Sequence, residues 1–130
     1  MANRILIVDD NRDTVEMLGA LLSYSGYEIV SAGTAAEARS RVGDERIDLI
    51  ILDSWLPDGD GVVLCRELRS RLPSLPIVFL SAAGLQADLD RAAEAGCNVY
   101  LTKPRDIDEL TQVVEQVINT SQRETKAPIG

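Results

Sequence analysis

Residues 49–61 of the chain read LIILDSWLPDGDG, an apolar run that ends on the carboxylate of Asp53 and continues into a segment rich in aspartate and glycine. Four consecutive apolar residues are typical of a strand that helices cover on both faces. A carboxylate at the end of such a strand is costly to bury unless a nearby group compensates its charge. Asp53 is therefore the first candidate for a functional residue.

Short apolar runs of this kind alternate with amphipathic segments five times along the chain, as in successive strand–helix units of a parallel sheet. Right-handed crossovers on such a sheet permit the strand order 2-1-3-4-5. We therefore predict a single α/β domain of the flavodoxin-like (βα)5 type, with helices on both faces of a five-stranded parallel sheet. The predicted strands β1 to β5 cover residues 4–8, 27–30, 48–52, 76–80 and 98–101.

Five helices, α1 to α5, are expected, one after each strand. The clearest apolar stripes at helical spacing lie at 15–22 in α1 and at 107–118 in α5. Thr34 followed by Glu37 has the spacing of a capping box and predicts the start of α2. Gly96, which follows the α4 segment 88–95, predicts the end of that helix.

The composition is that of an ordinary globular protein. With 130 residues, 45% of them hydrophobic, the chain is long enough for one domain with a real core. A net charge of −8 argues against direct binding of nucleic acid. Because no stretch reaches the roughly 18 apolar residues of a membrane span, we expect no membrane insertion. Helical periodicity is lost after about Asn119, which divides the chain into a domain at 1–119 and a polar tail or linker at 120–130.

The rarest residue types narrow the chemistry further. Cys65 and Cys97 lack metal-binding spacing and are expected to be the reduced thiols of a cytoplasmic protein. The chain contains no histidine, which excludes Ser-His-Asp and Cys-His catalysis and histidine-liganded zinc. Any chemistry must therefore use Asp, Lys, Ser and Tyr.

Polar residues follow the carboxyl ends of four predicted strands, where open α/β sheets bind their ligands. They are Asp9 and Asp10 after β1, Asp53 after β3, Ser81 after β4, and Lys103 with Pro104 after β5. Carboxylates gathered in a small volume repel one another unless a cation neutralises them. A hard divalent cation with oxygen ligands, of which Mg²⁺ is the best fit, is therefore expected at this edge.

Most of these residues also have simpler explanations when they are taken singly. Asp10 stands where an N-cap of α1 belongs. Ser81 is compatible with a turn or helix cap, Lys103 with a solvated loop, and Tyr100 with packing against α4 or α5. Asp53 is harder to explain in this way, because it ends an apolar run instead of lying in a polar turn.

Taken together, the motifs resemble the receiver domain of response regulators. They are Asp9-Asp10, Asp53 after DLIIL, Pro57, Asp60-Gly61, Ser81 after IVFL, and YLTKP at 100–104, and they span the chain from Arg4 to about Ile118. The resemblance implies that Asp53 accepts a phosphoryl group from the histidine of a sensor histidine kinase or a histidine phosphotransfer protein. It implies Asp9 or Asp10, Asp53 and the backbone carbonyl of Trp55 as ligands of Mg²⁺.

The resemblance also assigns roles to the remaining residues. Ser81 and Lys103 would stabilise the phosphoryl group, and Pro104 is the candidate for a cis peptide. Ser81 and Tyr100 would act as the switch, with Tyr100 turning inward after phosphorylation. Phosphorylation would change the α4-β5-α5 surface that a downstream protein reads. Trp55 and Ala83 would flank the approach of water and so govern the lifetime of the phosphoryl group. The protein would not be an enzyme for a separate substrate, but would promote its own phosphorylation and dephosphorylation.

Two other functions are compatible with the fold. A receiver-like module that binds partners without phosphorylation would be expected to have lost pocket residues, and none is lost. A phosphatase with an aspartate nucleophile would need a second Asp two residues after the first, where this chain has Trp55.

Overall fold

The computed structural model describes residues 2–125, with side chains described up to Gln122. Its main sheet has five parallel strands, numbered here β1 to β5, in the spatial order β2-β1-β3-β4-β5. The flavodoxin-like order and the edge position of β2 are as the sequence predicted. The strands are β1 Arg4–Val8, β2 Glu28–Ala32, β3 Leu49–Leu52, β4 Ile77–Ser81 and β5 Val99–Thr102.

Helices cover both faces of this sheet because alternate strand residues point to opposite sides. Leu6 and Val8 join the core beneath α2, α3 and α4, while Ile5 and Ile7 join the core beneath α1 and α5. The helices are α1 Arg12–Tyr24, α2 Ala35–Asp44, α3 Gly61–Arg71, α4 Gln86–Ala95 and α5 Leu110–Thr125, with a 3-10 turn at Ile107–Glu109. No helix within residues 2–125 is both long enough and apolar enough to cross a membrane.

The start of α2 and the end of α4 lie where the sequence predicted them, whereas the start of α1 has a different cap. Thr34 caps α2 by accepting a hydrogen bond from the Glu37 amide at 3.0 Å, and Gly96 ends α4 with a φ of 100°. The N-cap of α1 is Asn11, whose side chain accepts from the Thr14 amide at 3.0 Å. Asp10 is therefore not the cap, and its side chain is left for another role.

The last helix extends beyond the boundary predicted between the domain and its polar tail or linker. Helix α5 continues to Thr125, so the boundary placed at 119 falls inside a helix. Residues such as Gln122 and Glu124 favour helix although they add nothing to the apolar stripe, which is why hydrophobic periodicity alone ended the helix too early. Residues 126–130 of the predicted tail lie outside the described residues.

The loop predicted after β3 contains a small antiparallel hairpin. Its strands Trp55–Leu56 and Gly59–Asp60 are joined by Pro57 and Asp58, and we call it the 55–60 hairpin. Leu56 is buried against the core, whereas Trp55 is exposed. The hairpin therefore leads directly from the end of β3 to the start of α3.

Candidate functional site

Three carboxylates meet at the carboxyl edge of the sheet. β1 and β3 are neighbours that place Val8 opposite Leu52, so Asp9 and Asp53 follow at the same level. The backbone amide of Asp53 donates to the Val8 carbonyl at 3.0 Å, which holds the two strand ends together. Oxygens of Asp9, Asp10 and Asp53 lie within 4.8 Å of one another. The sequence-predicted cluster is thus formed by this geometry.

Asp9 and Asp10, the two acidic residues that follow β1, differ in their surroundings. Asp9 is buried, with one carboxylate oxygen accepting from the Asn11 amide at 2.9 Å and the other from Lys103 Nζ at 2.7 Å. Asp10 is exposed to solvent. Both oxygens of Asp9 are engaged, so Asp10 and Asp53 are the carboxylates most easily reached by an incoming cation.

Lys103 is the cation of the site. Its Nζ also lies 3.8 Å from an oxygen of Asp53, and its backbone amide donates to the Ser81 carbonyl at 2.8 Å. The peptide bond between Lys103 and Pro104 is cis, the geometry for which Pro104 was the candidate. Lys103 pairs with Asp9 and Asp53 but not with Asp10 among the described contacts, so the cluster of three carboxylates keeps an excess of negative charge. An all-oxygen cluster with that excess charge fits a hard divalent ion such as Mg²⁺.

The electrostatics of Asp53 reflect this crowding. Burial raises the pKa of the Asp53 carboxyl above its usual value, the nearby Lys103 ammonium opposes the rise, and the Asp9 carboxylate adds to it. Hydrogen bonds from the Ser54 backbone and the Ser81 side chain lower the pKa again. The carboxylate ending the apolar run is therefore held in an environment that makes its charge costly, which a bound cation would relieve.

Ser81 lies within β4 as its last residue and is completely buried, whereas the sequence placed it just after the strand. Its Oγ accepts a hydrogen bond from the Ala83 amide at 3.1 Å. The hydroxyl is thus fixed between the end of the strand and the loop that leads to α4. From there it faces Asp53 across neighbouring strands.

Tyr100 connects the same loop to β5. Its ring stacks on Phe79 with centroids 5.4 Å apart, and its hydroxyl donates a hydrogen bond to the Ala83 carbonyl. The hydroxyl also lies 3.4 Å from Oγ of Ser54, a buried serine directly after Asp53. Tyr100 therefore already faces inward. Ser54 was not predicted from the sequence, although a polar residue between Asp53 and an apolar hairpin residue was a visible signal.

Two residues assigned to phosphate lifetime lie at the rim. The Trp55 side chain is 64% exposed, and Ala83 is partly buried. Most of the Trp55 surface is thus open to solvent. Its backbone belongs to the 55–60 hairpin, opposite Asp60.

Gly61 lies in close backbone contact with the end of β3. A Cβ placed on Gly61 would lie 2.1 Å from the Asp53 carbonyl oxygen and 3.1 Å from Ser54 Cα. The Gly61 amide donates to the Ser54 carbonyl at 2.8 Å, which closes the chain around the hairpin. A residue without a side chain is therefore required here for the hairpin to lie against the end of β3. The sequence showed the Asp60-Gly61 pair but not the contact that requires it.

Comparison with known families supports a specific assignment. The family model for the response regulator receiver domain matches residues 5–115. The chain is 34% identical over 122 residues to the alkaline phosphatase synthesis transcriptional regulatory protein PhoP of Bacillus subtilis, covering 94% of this chain and 51% of that protein. It is 38% identical over 120 residues to the transcriptional regulatory protein GltR of Pseudomonas aeruginosa, covering 91% and 50%. The chain thus spans about half the length of these curated relatives.

Solved structures agree with this family. The CheY-like response regulator receiver domain protein of Methanospirillum hungatei superposes with a TM-score of 0.90 at 25% identity, over 95% of this chain and 99% of that one. NtrX of Brucella abortus superposes with a TM-score of 0.89 at 32% identity, over 97% of this chain and 29% of NtrX. Both superpositions extend over nearly the whole of this chain.

Proposed function

Since this chain belongs to the response regulator receiver family, the signalling domains of two-component systems, we propose that it is a switch operated by phosphorylation of Asp53. The observation that carries the proposal is the position of Asp53, at the end of a buried strand, with two further carboxylates within 4.8 Å and Lys103 Nζ at 3.8 Å. A carboxylate held rigidly beside cationic groups is a positioned nucleophile for phosphoryl transfer. The family implies that the donor is the phosphohistidine of a sensor histidine kinase or a histidine phosphotransfer protein. That histidine would be supplied by the partner, since this chain has none of its own.

The transfer forms one bond and breaks one. An Asp53 carboxylate oxygen attacks the phosphorus in line with the departing imidazole nitrogen of the donor, and the electron pair of the N–P bond leaves with that nitrogen. Lys103 and the Ser81 hydroxyl then bind the phosphoryl oxygens, Lys103 by charge and Ser81 by donating a hydrogen bond. A carboxylate oxygen of Asp9 lies 2.7 Å from Lys103 Nζ and holds the ammonium group in the site.

The proposed metal ligands are those that the family resemblance implies. Asp9 or Asp10, Asp53 and the backbone carbonyl of Trp55 would hold Mg²⁺, whose charge when bound would neutralise the phosphoryl oxygens. Asp10 is the exposed member of the cluster and the Trp55 carbonyl is carried by the 55–60 hairpin. The placement of that hairpin therefore bears on metal binding.

Phosphorylation is proposed to reach the α4-β5-α5 surface through Ser81. A phosphoryl group on Asp53 draws the Ser81 hydroxyl away from the Ala83 amide, which it now bonds at 3.1 Å. Ala83 carries the carbonyl that accepts from Tyr100, so the loop before α4 and the tyrosine of β5 shift together. Because Tyr100 already faces inward, this change is a repacking of an existing contact. A downstream protein would read it at α4, β5 and α5.

The setting proposed for the switch is the cytoplasm, where free thiols such as Cys65 and Cys97 persist. The net charge of −8 favours a protein partner over direct contact with nucleic acid. The same pocket would promote loss of the phosphoryl group to water, so that the signal ends without a separate enzyme.

Intact-mass spectrometry tests the assignment directly. The protein incubated with acetyl phosphate and Mg²⁺ should gain a single phosphate, and Asp53→Asn should gain none. Asp108→Asn, which alters an exposed carboxylate on the 3-10 turn, is the matched control and should behave as the unmodified protein. A phosphate adduct that persists in Asp53→Asn would remove Asp53 as the acceptor.

A further inference from the structure

Asp58, at the tip of the 55–60 hairpin, makes contacts that its position in a turn does not explain. One oxygen of its carboxylate accepts from the Ala35 amide at 2.7 Å and the other from the Ala36 amide at 3.0 Å. These two hydrogen bonds join the hairpin to a helix more than 20 residues earlier in the chain. They also lower the pKa of the Asp58 carboxyl, the Ala35 bond most strongly.

The start of α2 is suited to receive this carboxylate. The first turn of a helix leaves backbone N–H groups without partners inside the helix, and the helix dipole favours a negative charge there. Thr34 takes one of these groups, the Glu37 amide, and Asp58 takes the two before it. Ala35 is buried, so its amide depends on Asp58 more than the exposed Ala36 amide does.

The 55–60 hairpin is thereby fastened at two separate places. At its end, Asp60 accepts from the Val62 amide at 2.8 Å and pairs with Arg91 of α4 at 2.8 Å. At its tip, Asp58 is tied to α2. Leu56 is the buried apolar anchor between them, since Trp55 is largely exposed.

We propose that Asp58 is a positioning residue. It fixes the 55–60 hairpin against α2 and so holds the Trp55 carbonyl in the position from which that carbonyl would bind the metal ion. The inference rests on the proposed function, because the Trp55 carbonyl matters only if a metal binds beside Asp53. Asp58 lies three residues beyond Trp55, and no hydrogen bond or ion pair among the described residues joins it to the carboxylate cluster. It acts through the backbone of the hairpin, as outer partners of a metal site do.

Hydrogen exchange on the metal-free protein tests the tether itself. Asp58→Ala should speed exchange of the Ala35 and Ala36 amides. Asp58→Asn keeps one acceptor oxygen and should protect one of the two. Asp108→Ala, which removes an exposed carboxylate elsewhere, should leave both rates unchanged.

A Mg²⁺ titration, followed through the single tryptophan Trp55, tests what the tether does. Asp58→Ala should weaken Mg²⁺ binding by about tenfold, the lower end of the range for outer partners of a metal site. Asp58→Asn should recover part of that loss. Urea unfolding of the same variants identifies any that have lost the fold.

The outcomes separate the tether from the proposed function. Faster amide exchange with an unchanged Mg²⁺ midpoint in a folded Asp58→Ala would overturn the positioning role. Unchanged exchange in that variant would overturn the tether. Failure of the unmodified protein to gain a phosphate on Asp53 would instead overturn the proposed function while leaving the exchange result in force.

Discussion

Replacing Gly61 by alanine should damage both the fold and the phosphoacceptor. The added Cβ would lie 2.1 Å from the Asp53 carbonyl oxygen, whereas carbon and oxygen normally approach to about 3.3–3.6 Å. The obstacle is backbone on both sides, so relief requires more than about 1 Å of movement of the hairpin or of the end of β3. Overpacking of a tight site costs about 1–3 kcal/mol, and helix propensity returns up to about 1 kcal/mol because Gly61 begins α3.

We expect Gly61→Ala to lower the free energy of unfolding by about 2 kcal/mol, or about 1 M in the urea midpoint. Because a misplacement of about 1 Å can cost about a hundredfold in rate, phosphorylation by acetyl phosphate should slow by about that factor. Gly59→Ala is the matched control, since a Cβ on Gly59 meets nothing within 4 Å. It should leave both measurements nearly unchanged. Equal unfolding midpoints and equal rates for the two variants would refute the reasoning.

Three further predictions concern metal, phosphate lifetime and pH. Mg²⁺ should quench Trp55 fluorescence, and Asp10→Ala should abolish the quench; an unchanged titration would place the metal elsewhere. Trp55→Asn and Ala83→Glu should each speed loss of the acyl phosphate, measured by intact mass over time, because each adds a group that can hold a water, and slower or equal loss would contradict this. The Thr102 amide, at 2.8 Å, lowers the pKa of the Asp106 carboxyl. The stability from this bond should be present above about pH 4, the unfolded pKa, and lost as pH falls through the lower folded value. Asp106→Ala should therefore lower the urea midpoint more at pH 7 than at about pH 2, and a pH-independent difference would exclude this cause.

Local patterns were sufficient for the strands and for most of the helices. The apolar run Leu49–Leu52 predicts a covered strand from its own residues alone, and the rules of right-handed connection permit the order that places β1 and β4 beside it. The helix caps at Thr34 and Gly96 also depend on residues only a few positions away. Periodicity failed for the last turns of α5, because polar residues beyond the core carry no apolar stripe although they remain helical.

The candidate site was predictable for a related reason. Asp9, Asp53 and Lys103 each follow a strand, and the carboxyl ends of parallel strands share one edge, so their convergence needs only the strand order. The choice of Asn11 over Asp10 as the cap of α1 could not be made in this way. Both residues are good caps, and the backbone conformation at Asn11 decides between them.

The sequence by itself therefore determined the strand and helix segments and the layers, because these depend on periodicity and on residues close together in the chain. It also indicated the edge at which the acidic residues gather, given a strand order that the rules of right-handed connection permit. Tertiary structure decided which distant groups meet: Asp58 with the start of α2, and Ser54 with Tyr100. It also decided that the Asp53 carbonyl leaves no room for a side chain at Gly61. Such contacts form only when separate elements are placed correctly to within about a few tenths of an ångström, and only the packed chain sets that placement.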